Sequence, residues 1–243
     1  MSAQAWFEAC DQVLQRIRET QSENIAAAAG MIAGAIAGGG ALHFYDNGHC
    51  PGEPLGRAGG LFAIHPISCS VNVSHPCPPK HAGKKPAQDY GAENARIAVE
   101  RSNMFAGDCL LLMSVTGRSA FTVELALRAK ERGLKVITIA SLAYARLSEP
   151  RHPSGKKVFE VADLVIDNCG IPGDGALEMD GIETRVAPTS GVAGCYIVWA
   201  LTADLVKRLV SRALAPSVYR SINMPDGEAF NERQRKHYEE TGL

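Results

Sequence analysis

The apolar run Cys109-Leu-Leu-Leu-Met113 has the length of one strand and empties at once into Ser114-Val-Thr116-Gly117-Arg118-Ser119. Phe121-Thr-Val-Glu-Leu-Ala-Leu then takes up a helical pattern. Comparable strand-length segments recur at Ala41–Tyr45, Leu61–Ile64, Lys135–Ala140 and Ala162–Asp167, with helical patterns over about 89–105 and 119–132 between them. Strands that alternate with helices at this spacing predict an α/β fold, a three-layer α/β/α sandwich around a mainly parallel five-stranded sheet.

Long helices flank this core. Trp6, Cys10, Val13, Leu14, Ile17, Ile25, Ile32 and Ile36 recur at helical steps over residues 4–37, and Gly38-Gly39-Gly40 stops the pattern. A second long helix is predicted from Ser190 to Ala213. Its first half, Val192 to Trp199, is almost wholly apolar, so it must be buried in a core or against a second subunit. Smaller expectations are a short helix at 156–161 capped by Ser154, a hairpin over 176–187 closed by a type I′ turn at Asp180-Gly181, and a long exposed loop at 68–88. Residues 1–243 read as one domain: an N-terminal helix 4–37, a core of about 41–215, and a polar tail 216–243 over the surface.

Composition excludes several function classes. A net charge of −1 gives no basic excess for a nucleic-acid partner. No apolar run reaches 18 residues, so no membrane-spanning helix is expected. The early residues Glu8, Asp11, Arg16, Arg18 and Glu19 leave no apolar signal core, and seven scattered cysteines argue against a disulfide framework. A reduced, cytoplasmic protein is the resulting expectation.

Two glycine-containing polar loops, 46–50 and 114–119, fall at the carboxyl ends of predicted strands, where such sheets bind ligands. In the second, Ser114, Thr116, Gly117, Arg118 and Ser119 bring hydroxyls, backbone N–H groups and a helix N-terminus to one point, which suits a phosphate. Capping of the following helix is the alternative role of Ser119.

The order of these motifs resembles the sugar isomerase (SIS) domain family, in its phosphoheptose-isomerase-like, phosphosugar-binding branch. The likeness rests on His43-Phe-Tyr-Asp46-Asn47-Gly48-His49-Cys50, Arg57-Ala58-Gly59-Gly60-Leu61, Ser114-Val-Thr116-Gly117-Arg118-Ser119, Arg151-His152-Pro-Ser154-Gly155-Lys156-Lys157 and Val218-Tyr-Arg-Ser221-Ile-Asn223, with Asn231 beyond. The resemblance implies a flavodoxin-like sheet, a sugar-phosphate ligand, a homodimer or larger homo-oligomer, and no cofactor. It implies ligand contacts from Asn47, Gly48 and Cys50 in the first loop and from Ser190 at the start of the last long helix, where capping is the other role. Tyr45-Asp46 and Cys50 depart from the family's aromatic-glycine pair and serine. An aspartate there repels an anion, so the first loop is expected to face the neutral or basic part of the sugar.

The implied chemistry is aldose–ketose isomerisation, which moves a proton between adjacent carbons and needs a carboxylate or imidazole base. Glu53, His49 and His152 are the candidates, Glu53 because a helix after the first loop would aim it into the cleft. Two other readings use the same fold: a non-catalytic sugar-phosphate-binding regulator, and a lyase or etherase acting on an amino-sugar phosphate. Cys69, His75, Cys77 and His81 are zinc-ligand types, but their spacing fits no compact zinc motif, so no metal is expected. Segment 68–88 reads instead as a flap carrying Lys80, Lys84 and Lys85.

Overall fold

The computed structural model describes residues 2–50, 52–72, 74, 76–81 and 89–243. His75, Lys84 and Lys85 therefore lie outside the described residues. The central sheet consists of β1 (Leu42–Asp46), β2 (Ile64–Pro66), β3 (Cys109–Met113), β4 (Lys135–Ala140) and β5 (Leu164–Asp167). Its order is β2-β1-β3-β4-β5, and every pair is parallel.

Side chains alternate across a strand, so β3 sends Cys109, Leu111 and Met113 to one face and Leu110 and Leu112 to the other. The first face is covered by α1 (Ser2–Ala37) and α5 (Ser190–Val210), which bury Ile17, Ile32, Ile197 and Leu205 against it. The second is covered by α2 (Gly91–Arg101) and α3 (Ala120–Glu131) through Ala95, Val99, Val123 and Ala126. Each large aliphatic side chain so buried contributes roughly 1.5–3 kcal/mol. The expected three-layer α/β sandwich with long terminal helices is the observed one.

Polar ties hold α1 in place. The Gln21 amide oxygen accepts from the Asp167 N–H at 3.0 Å, and Arg16 donates to the Cys169 carbonyl at 2.9 Å. Arg212, just past α5, donates to the Ala33 carbonyl at 2.9 Å.

Several local expectations are corrected. The second strand lies at Ile64–Pro66 rather than 61–64, because Leu61 pairs antiparallel with Val218 while Ile64 takes the register opposite Leu42. The 156–161 segment holds only a 3-10 turn at Val158–Glu160; the Ser154 hydroxyl bonds His152 Nδ1 at 2.7 Å instead of capping a helix. A hairpin does form, from β6 (Gly175–Leu177) and β7 (Val186–Pro188), but the turn is not type I′. That turn needs positive φ at both central residues, and of the pair only Gly181 has it, at 77°. A short helix, α4 (Leu142–Leu147), follows β4, with the Ser141 hydroxyl accepting from the Tyr144 N–H.

The largest correction concerns 216–243. It is not a plain polar tail but contains α6 (Gly227–Thr241). The segment before it is anchored by Phe62 stacking on Tyr219 with ring centroids 3.7 Å apart, and α6 itself by the Tyr238 hydroxyl meeting His65 Nε2. Its Glu, Arg, Gln and Lys residues are good helix formers, yet they lack the apolar periodicity by which a helix is recognised in sequence.

Glu124 on α3 is buried and receives Arg96 Nε at 2.6 Å, Arg128 Nε at 2.9 Å and His152 Nε2 at 2.7 Å. Burial alone would raise its pKa, but these three partners hold it at about 2. A carboxyl depressed in the folded state stabilises above its ordinary value of 4.5 and loses that contribution as pH falls toward 2. Chemical denaturation should therefore show stability declining over that window. Glu124→Gln should flatten the decline and cost about 3 kcal/mol at neutral pH, because two guanidinium partners lose their counter-charge.

Candidate functional site

The chain leaves β1 toward β2 on one side of the sheet and returns to β3 on the other, so the loops after β1 and β3 diverge at their carboxyl ends. This reversal of strand order is where open parallel sheets bind ligands. The loops at 46–50 and 114–119 occupy it, joined by the Asn47 N–H donating to the Met113 carbonyl at 2.9 Å.

The second loop leaves its donors open. Val115, Gly117 and Arg118 spend their carbonyls on Ser141, Val158 and Arg151 respectively, which fixes the loop against β4 and the 150–158 segment. Among the described residues, however, the backbone N–H groups of 116–121 donate to no acceptor, while Thr122 N–H is taken by the Ser119 hydroxyl at 3.2 Å. Buried amides require partners, and amides opening into the first turn of a helix favour a negative one. Ser119 is thus the cap of α3, bonding the Thr122 hydroxyl at 2.6 Å as well. Ser114 is buried at the strand end, and Thr116 and Arg118 are half-buried on the loop.

Gly117 is indispensable to this geometry. Its φ is 59°, and a Cβ there would sit 2.5 Å from Val158 Cγ1.

The first loop behaves in the opposite way. The Asp46 carboxylate accepts from the His49 N–H at 3.0 Å and from the Cys50 N–H at 2.9 Å, so it fills the loop's own anion-binding concavity. Gly48, at φ 91°, makes the turn. Asn47 accepts from the Tyr45 hydroxyl at 3.3 Å. Cys50 does not offer its thiol to a ligand: it is buried, 3.2 Å from Met113 Sδ, and burial followed by the Asp46 charge pushes its pKa far up. The reading of Cys50 as a ligand contact gives way to a core role.

Ser190, His49 and Asp174 form a relay. Ser190 Oγ donates to Asp174 Oδ2 at 2.6 Å and lies 3.2 Å from His49 Nδ1, while Ser190 N–H donates to Asp174 Oδ1 at 3.0 Å. With the hydroxyl proton committed to Asp174, Oγ accepts from His49 Nδ1–H, and Nε2 has no partner among the described residues. Asp174 holds φ at 65° and Ala187, shortly before Ser190, holds 59°, so backbone strain gathers around this point. Beside it the buried Thr189 hydroxyl has no partner among the described residues. Asp174 escaped the sequence reading; the flanking Gly173 and Gly175 signal a turn but not a carboxylate aimed at a helix start.

The other two candidate bases stand elsewhere. His152 is buried with both ring nitrogens engaged, Nε2 by Glu124 and Nδ1 by Ser154. Glu53 follows turns, not a helix, since Gly52 and Gly56 take φ of 74° and 63° around Pro54. Its carboxylate accepts from Trp199 Nε1 at 3.1 Å and pairs with Arg57 at 3.4 Å. His49 is therefore joined to Ser190, whereas His152 and Glu53 are tied into separate contacts. Among the described residues no group of three His, Cys, Asp or Glu converges to hold a metal.

A family model for the SIS domain matches residues 5–141. A UPF0309 protein of Streptomyces griseus is 34% identical over 236 residues, covering 96% of this chain and 93% of the relative. Among solved structures, a phosphoheptose isomerase from Francisella tularensis superposes with a TM-score of 0.53 at 14% identity, over 85% of this chain and 97% of that one. The Vibrio vulnificus NanR protein complexed with ManNAc-6P superposes with a TM-score of 0.50 at 9% identity, over 99% of this chain and 69% of that one. At such identities both structures share the fold.

Gly117→Ala should cost about 1–3 kcal/mol through its forced left-handed φ and the Val158 clash. Thermal unfolding measures that cost. An unchanged melting temperature would show that the loop does not hold this conformation.

Proposed function

The chain belongs to the SIS domain family, and from that premise we propose that it binds a sugar phosphate at the carboxyl edge of its sheet and isomerises it between aldose and ketose. The observation that carries the binding is the set of backbone amides at 116–121 without an acceptor among the described residues, on the loop and the start of α3 together with Thr116 and Arg118. Charge-assisted hydrogen bonds of this kind contribute roughly 1.5–3 kcal/mol each. The helix dipole adds to them.

The catalytic part rests on His49. Its backbone is clamped by Asp46, its Nδ1–H is directed to Ser190, and Asp174 orients that hydroxyl. The remaining Nε2 has no partner among the described residues and is placed to carry a proton between neighbouring carbons. Because Asp46 repels a second anion, the sugar's hydroxyl or carbonyl end faces the first loop and its phosphate the second. Glu53 and His152 act as supports: one steadies the turn against α5, the other joins the 150–158 segment to α3.

A second reading, binding without turnover, draws on the same Asp46 contacts, which close the first loop on itself. The resemblance to the NanR–ManNAc-6P fold is compatible with it. Shape alone does not separate the two readings.

A thermal-shift series comparing phosphorylated with unphosphorylated sugars should raise the melting temperature only with the phosphate present. NMR of the best binder after incubation should then show conversion. His49→Asn should keep the thermal shift but lower turnover by about 10²-fold or more. Stabilisation with no conversion by the parent protein selects the binding-only reading, and equal stabilisation by unphosphorylated sugars removes both.

A further inference from the structure

At the other edge of the sheet lies a cavity of about 1190 Å³, bounded by the start of β1, by β2, by α2 and by α6. Asp108, just before β3, lines it, six residues upstream of Ser114 and so about 20 Å from the phosphate loop along the strand direction. The volume is of the order found in small-molecule sites.

The cavity has a built polar floor. His43 and His65 face each other across β1 and β2 in register, with ring centroids 6.0 Å apart. Behind His43, its Nε2 meets Asp108 Oδ2 at 2.9 Å, and both residues are buried. Asp108 also accepts from the Ala41 and Phe105 N–H groups, each at 2.8 Å. The carboxylate is therefore spent within the protein. Burial opposes its charge, but these donors win and hold its pKa below the usual carboxylate range. His65 Nε2 is engaged by the Tyr238 hydroxyl of α6. Each imidazole keeps Nδ1 without a partner among the described residues.

Charge and apolar surface then select the ligand. Arg101 stands on the cavity wall, exposed, and unlike Arg96 on the same helix it enters no ion pair among the described residues. Ile97, Phe105 and Val71 are exposed apolar residues lining the same space. Among the described residues the lining has one carboxylate, Asp108, already paired, so the wall offers a guanidinium and two imidazoles beside an apolar surface.

We propose that this amino-edge cavity is a second small-molecule site, which takes an organic anion whose apolar body rests on Ile97 and Phe105 and whose carboxylate or phosphate meets Arg101, His43 and His65. It is separate in position from the sugar-phosphate site proposed above, because Asp108 precedes β3 and Ser114 follows it. The two sites lie on one sheet and share β1.

The test uses the full chain with 2-naphthoate as the anionic probe and 2-naphthalenemethanol as its neutral counterpart. Calorimetry should show 2-naphthoate binding about ten-fold more tightly, the scale of one charge-assisted contact. Ring nitrogen signals of His43 and His65 should move during an NMR titration while those of His49 stay in place. Arg101→Gln, a surface change that leaves the Asp108 network intact, should weaken 2-naphthoate about ten-fold without altering thermal unfolding, and should leave 2-naphthalenemethanol unaffected. Equal affinity for the two probes, no binding of either, an unaltered 2-naphthoate affinity in Arg101→Gln, or shifts centred on His49 would each overturn the proposal.

Discussion

Covering both faces of a parallel sheet with helices leaves water only at the two ends of its strands. The five residues of β3 are all buried, and their alternation feeds two separate apolar layers. Polar chemistry is consequently pushed to the strand ends, where backbone groups run out of strand partners. One end carries Asp46, His49, Thr116 and Ser190; the other carries His43, Asp108 and Arg101. Both proposed sites lie toward the ends of the strands.

The two loops at the carboxyl edge solve the same problem in opposite ways. The second leaves its amides unpaired and can accept charge from outside. The first supplies its own anion in Asp46 and spends its amides on it. In the proposed site, that contrast would orient a ligand with one charged end more firmly than two open concavities. It also fixes His49, because the residue that closes the loop is the one that clamps the imidazole's backbone.

Much of this was legible from residue order, and the rest had physical reasons to stay hidden. A strand-length apolar run followed by hydroxyls, a glycine and a helical pattern placed 114–119 between a strand and a helix, because each part depends only on neighbours in the chain. Asp46 stood out as a misfit, but its role needs the turn that brings it to His49 and Cys50. The Asp174–Ser190–His49 relay joins residues far apart in sequence and so carries no local signature. His152 looked free for chemistry in one dimension; Glu124, 28 positions earlier, takes its Nε2. Helix α6 went unread because its packing depends on a few aromatic contacts rather than an apolar stripe.

The placement of α1 has a consequence for how the protein is made. Its buried stripe, including Ile17, Ile25 and Ile32, is covered by α5, and its polar ties reach Asp167, Cys169 and Arg212. As the chain emerges from a ribosome, the first helix waits for nearly the last part of the core before its apolar side is fully covered. Until then the nascent chain carries an exposed greasy surface, the kind of species that chaperones hold and that aggregates when crowded. Long-range closure of this sort also slows folding. The docking of α5 on α1 would thus act as a late checkpoint in biosynthesis.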